Sequence, residues 1–137
     1  MKTTMYDILR EISEISNVSE KIAAMQNHRY APAIKQICEY TFNDNIKWAL
    51  PEGDPPYKPC EFVDVEGRFI AELRKLYLFV EGGNPNLTSL RRETLFIQLI
   101  ESIDPKDARL MLSMKEKKLP FKGITKKIAK QAFPDIK

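Results

Sequence analysis

The sequence predicts an all-α protein, a compact bundle of six to seven helices. Apolar residues recur at three- and four-residue spacing through most of the chain. Caps, prolines and glycines cut that pattern into segments of helical length, and no run alternates convincingly as a strand would. The 137 residues are enough for one ordinary domain across 1–137, with 43% hydrophobic and 30% charged residues, the balance of a folded chain rather than a disordered one.

The first element, TTMYDILREISEIS, places Met5, Ile8, Leu9, Ile12 and Ile15 on one stripe, with Asp7, Arg10, Glu11 and Glu14 outside it. Asn17 followed by Glu20 reads as a capping box opening VSEKIAAMQNH. In the third helix Pro32 suits an early turn, and Ile34, Ile37, Cys38 and Phe42 form the apolar face. NIKWAL reads equally as a last helical turn or a short extended piece. PEGDPPYKP is a loop, since proline lacks an amide donor and drives its predecessor out of the helical region.

A helix is then expected through VDVEGRFIAELRKLYLFVEG, with Phe69, Ile70, Leu73, Leu76, Tyr77 and Val80 facing inward and EGGNPN stopping it. LTSLRRETLFIQLIESI reads as a strongly apolar, central helix. DPKDARLMLSMKEKK opens with Asp104 as N-cap and Pro105 at the first helical position, with Asp107 in the first turn as a further capping acid. After an LPFKG turn, ITKKIAKQAF forms the last helix and Pro134 ends it.

Material for catalysis is scarce. His28 is the only histidine and is expected to be exposed at a helix end. Glu61, Asp64 and Glu66 form the densest acid group, read as acids favouring a helix N-terminus rather than as ligands for a hard cation. EGGNPN lacks the lysine-serine ending of a phosphate loop. Cys38 and Cys60 are too few for a disulfide framework or a metal pair and are expected to be reduced, which suits the cytoplasm. The start, MKTTMYDILREI, carries no secretion-type apolar stretch, and no run approaches the ~18 apolar residues of a membrane span. The expectation is therefore no enzyme, no cofactor and no metal.

Charge is distributed unevenly. Residues 106–137 hold ten lysines or arginines against three acids, while the remainder holds twelve bases against sixteen acids. The stretch EKKLPFKGITKKIAKQAF carries Lys117, Lys118, Lys122, Lys126, Lys127 and Lys130 beside a single acid, Glu116. On a helix Ile124, Ile128, Ala129 and Ala132 fall on one side, and Lys126, Lys127 and Lys130 on the other. Thr125 could cap the helix or touch a phosphate oxygen. One reading is a face that keeps a terminal helix soluble; the other is a grip on a polyanion. With no arginine between 110 and 137, backbone binding is expected over base reading.

The ordered pieces ILREISEIS, SEKIAAM, AIKQICEYTFN, NIKWALP and GITKKIAKQAFP resemble the N-terminal DNA-binding domain of ATP-dependent DNA ligases, especially those of tailed bacteriophages. Gly123, Thr125, Ile128, Ala129, Phe133 and Pro134 match that family's glycine-hydroxyl turn and final helix. The resemblance implies a helical body lying against the minor groove of double-stranded DNA. Lys122, Gly123, Thr125 and Lys126 would meet phosphates, and Lys117, Lys118, Lys127 and Lys130 would form a supporting rim. KEKKLPFKG is longer than the family's turn. The adenylation tetrapeptide Lys-x-Asp-Gly is absent, the nearest being KDAR at 106, so nick sealing by that chemistry is not expected. The resemblance thus implies a freestanding, non-enzymatic relative, a small phage protein acting in DNA metabolism or host DNA use. The alternative is a protein-interaction module that binds a sliding clamp or a host protein through the proline-rich loop 50–62, with Tyr57 and Phe62 as anchors.

Overall fold

The computed structural model describes residues 4–61 and 68–136. Among them are seven α-helices: α1 (Met5–Ser13), α2 (Val18–Asn27), α3 (Ala31–Phe42), α4 (Arg68–Glu72), α5 (Ser89–Glu101), α6 (Pro105–Lys115) and α7 (Lys126–Ala132). A 3-10 helix, Leu73–Phe79, continues directly from α4. The only extended pairing among the described residues is one antiparallel bridge between Trp48 and Val80. Residues 47–49 are thus the extended piece of NIKWAL, tied by Ala49 N–H to Phe79 O and Glu81 N–H to Lys47 O.

The helix starts follow local chemistry. Thr4, Asn17, Thr88, Asp104 and Thr125 each accept an amide of the first turn through a side-chain oxygen, satisfying a donor that has no partner within its helix. The α1 stripe buries Met5, Ile8, Leu9 and Ile12, and α3 buries Ile34, Ile37, Cys38 and Phe42, as their spacing predicts.

Two expectations need correction. The segment after residue 67 is not one long α-helix: five α-helical residues give way to 3-10 winding. At three residues per turn, side chains three apart share a face, so Leu73, Leu76 and Phe79 are buried while Tyr77 turns outward, 50% exposed. Nor is α5 the central element. It buries only Phe96, Leu99 and Ile100 and leaves Leu90 75% exposed. The central helix is α6, which packs against α1, α3 and α5 and buries Ala108, Leu110, Met111, Leu112 and Met114. Its neighbours cover it nearly all round, so its apolar residues do not mark a single stripe.

Asp107 also departs from expectation. It does not cap its own helix; its carboxylate accepts the Tyr6 amide at 3.0 Å and so serves the first turn of α1. No described helix is long and apolar enough to cross a membrane.

Candidate nucleic-acid interface

The basic segment begins where α6 ends. Lys117 takes a left-handed backbone conformation, φ 63°, which costs a non-glycine residue about 1–2 kcal/mol. Its side chain supplies the compensation. The ammonium donates to Asn43 O at 2.8 Å, Ile46 O at 2.9 Å and Tyr40 O at 3.3 Å, satisfying carbonyls at the C-terminal end of α3 and in the turn that follows it. Burial draws the ammonium below the ordinary lysine pKa, Asp44 opposes that shift, and Lys126 adds to it. Lys117 therefore closes α3 and does not stand on an outward rim.

The following turn is anchored by its apolar residues. Phe121 and Ile124 are buried, with the Phe121 ring edge-on to Tyr6 at 5.0 Å, so Lys122 between them is left exposed. Gly123 is set by close approach: a Cβ there would lie 1.9 Å from the Ser13 carbonyl oxygen. The Gly123 carbonyl in turn accepts from the buried Lys21 ammonium at 2.8 Å. Thr125 Oγ1 accepts the Ile128 amide at 3.3 Å, so of its two expected roles the structure displays the cap.

In α7, Ala129 and Ala132 are buried against α2 and α3, with Ile128 half-buried. Gln26 Nε2 reaches Ala132 O at 2.7 Å and Lys35 pairs with Asp135 at 3.0 Å, holding the far end. The lysines divide into unlike groups. Lys126 binds both oxygens of Asp44 at 2.6 Å. That hydrogen bond, with the charges of Lys126, Lys130 and Lys117, holds the Asp44 carboxyl below its usual range. Lys118 is exposed and its charge reaches Glu116. Lys122 and Lys127 are exposed, and among the described residues their ammonium groups make no ion pair or hydrogen bond.

The model of a family of unknown function, DUF6433, matches residues 8–120. The chain belongs to this family. No curated protein and no solved structure matches it. The DUF6433 match runs from Ile8, within α1, through α6 and ends at Pro120, before Gly123 and α7.

Within the DUF6433 region, the proline-rich loop is held by charges whose role their sequence positions did not suggest. The Lys115 side chain, 2% exposed, donates to Pro51 O and Gly53 O at 2.9 Å and to Glu116 at 3.0 Å. Glu116 accepts the Gly53 amide at 3.0 Å, and this bond together with Lys115 holds its carboxyl below the usual range. Farther along, the Lys58 amide donates to Glu101 at 2.8 Å and Arg109 pairs with Asp54 at 3.2 Å. Tyr57 packs half-buried against the core, while Phe62 lies outside the described residues, as do Asp64 and Glu66. Glu61 is exposed beside Lys58 at 3.7 Å.

His28 is half-buried rather than exposed; its Nδ1 accepts the Tyr30 amide at 3.0 Å at the end of α2. Burial pushes the Cys38 thiol up to about 12, which leaves it a packing residue without thiolate character at neutral pH. Among the described residues no group of three His, Cys, Asp or Glu converges to hold a metal.

Proposed function

We propose that this protein is a non-enzymatic, largely sequence-independent binder of duplex DNA that grips the phosphate backbone along the minor groove, in the manner of the ligase domains its sequence resembles, and that it serves phage DNA metabolism or host DNA use. The observation that carries the reading is the pair Lys122 and Lys127. Both are exposed without an acidic partner among the described residues, and Lys122 projects from a turn held by the Lys21 bond and the Ser13 contact. A lysine on a fixed backbone loses less freedom on meeting a phosphate than one on a mobile tail. Lys118 is exposed, and Lys130 acts with Lys126 on the same Asp44 carboxylate. Lys126 meets a phosphate by giving up Asp44, and exchange is open because both side chains are exposed and solvent screens their attraction. Lysines act here as point charges, which suits backbone contact rather than bidentate reading of a base.

Fluorescence anisotropy against intact duplex, nicked duplex and single strand, over a range of salt, tests this. Affinity for duplex should fall with salt at a log–log slope of about −0.9 per phosphate neutralised. Lys122→Ala and Lys127→Ala should each shallow that slope by about one. Undetectable duplex binding at low salt ends the reading.

A further inference from the structure

We propose that the cleft between the proline-rich loop and α5 docks an extended peptide segment carrying one bulky apolar side chain flanked by lysine or arginine. The cleft measures about 350 Å³. Small-ligand pockets run from ~300 to 1,000 Å³, so this one suits one or two side chains rather than a folded partner. Leu50, Pro51 and Pro55 wall one side. Across from them α5 presents Leu90, Glu93, Thr94 and Ile97, residues three, four and seven apart that share one helix face. Phe96 reaches the cleft from the core. Leu90, 75% exposed, is the most open large apolar side chain among the described residues, and it stands at this cleft.

Charge selects the occupant. Glu52 and Glu93 line the cleft and pair with no base among the described residues. Asp54 adds a third carboxylate, shared with Arg109 at 3.2 Å. The one cation in the lining, Lys115, is buried and already satisfied by two carbonyls and Glu116. The charge offered to a ligand is therefore negative, which repels nucleic acid and acidic peptides and favours a cationic flank around an apolar anchor. The wall is preformed as well: Lys115 and Glu116 fix Pro51 and Gly53, and Glu101 fixes Lys58, so little loop ordering remains when a ligand enters. This site is independent of the basic turn and does not rest on the DNA reading.

The test is to pan a displayed library of random dodecapeptides against the intact chain, then synthesise the consensus and follow its binding by amide chemical-shift mapping. The expected consensus is one Leu, Ile, Met, Phe or Trp beside at least two Lys or Arg, with shifts at the amides of Leu50, Glu52, Gly53 and Asp54 and of residues 90–97. Leu90→Lys and Glu93→Lys should each weaken the consensus peptide at least tenfold, while Lys122→Ala leaves it unchanged. Leu90 is mostly exposed, so its substitution keeps the fold, as a circular-dichroism melt verifies. An acidic consensus, no consensus, shifts centred elsewhere, or indifference to Leu90→Lys overturns the proposal. So does concentration-dependent dimerisation in sedimentation that Leu90→Lys abolishes, which would assign the cleft to a second copy of this chain.

Discussion

The Lys21 ammonium lies 2.8 Å from the Gly123 carbonyl oxygen, so a side chain of α2 fastens a turn 102 residues later in the chain. The same glycine rests against Ser13, where a Cβ would meet the carbonyl oxygen at 1.9 Å. The Ser13–Gly123 approach is between backbone atoms, which cannot swing aside as side chains can. Gly123→Ala should destabilise the protein by about 2 kcal/mol or more, because the turn or the end of α1 must move. Lys21→Met should cost about 1–3 kcal/mol by leaving the Gly123 carbonyl without its donor. Urea unfolding curves measure both, and a stable Gly123→Ala variant would contradict the close approach.

Asp107 predicts a pH dependence of known sign. Its carboxyl is pushed from 3.8 up to about 6 by burial, with Asp104 and Asp7 adding to the rise and the Tyr6 and Met5 amides opposing it. The folded protein therefore holds this proton more tightly than the unfolded chain does. Stability from this group is complete below about pH 4 and falls as pH climbs to about 6. Asp107→Asn keeps an oxygen for the Tyr6 amide without the charge. Relative to the parent it should gain about 2–3 kcal/mol between pH 4 and pH 7. Chemical denaturation of both proteins at four pH values reads the difference, and a flat difference would show that Asp107 does not titrate in that window.

Asp44 holds the Lys126 ammonium and lies in the field of Lys117 and Lys130. If the surface meets phosphates, this carboxylate competes with them. Asp44→Asn should raise duplex affinity severalfold and steepen the salt slope by about one unit. Weaker binding in the variant would make Asp44 a support for the lysines rather than a competitor.

The 3-10 winding after α4 predicts unequal roles for two nearby aromatics. Phe79 is 1% exposed and packs edge-on to Phe96 at 5.3 Å, while Tyr77 is 50% exposed. Phe79→Ala should cost about 3–5 kcal/mol and Tyr77→Ala less than about 0.5 kcal/mol. Thermal melts of the two variants distinguish this arrangement from a continuous α-helix.

Local signals in the sequence were sufficient for α1 as far as Ile12, though not for Ile15, which lies past the end of the helix at Ser13, and for α3 and the capped starts of α2, α6 and α7, since periodicity and hydrogen-bonding side chains act within a few residues. They failed where the determining contact is distant. A period of 3.6 carried through Leu73–Phe79 turned Tyr77 inward, and only the winding tightened beside the Trp48–Val80 bridge places Phe79 there instead. The lysines of the basic segment look alike in sequence. Yet Lys117 is spent on α3 and Lys126 on Asp44, partners 71 to 82 residues away. Lys115 likewise shows no sign in sequence of clamping the proline-rich loop. The cleft is illegible for the same reason, since its two walls come from segments that no local pattern relates.

The single tryptophan sits at a useful junction. Its ring lies 6.1 Å from Tyr40 and 6.4 Å from Phe96, and its indole N–H donates to Tyr40 O at 3.0 Å. Phe96 also borders the cleft. The protein thus carries its own optical gauge: native emission should change as the core melts and as a ligand displaces Phe96, a titration that needs no attached dye.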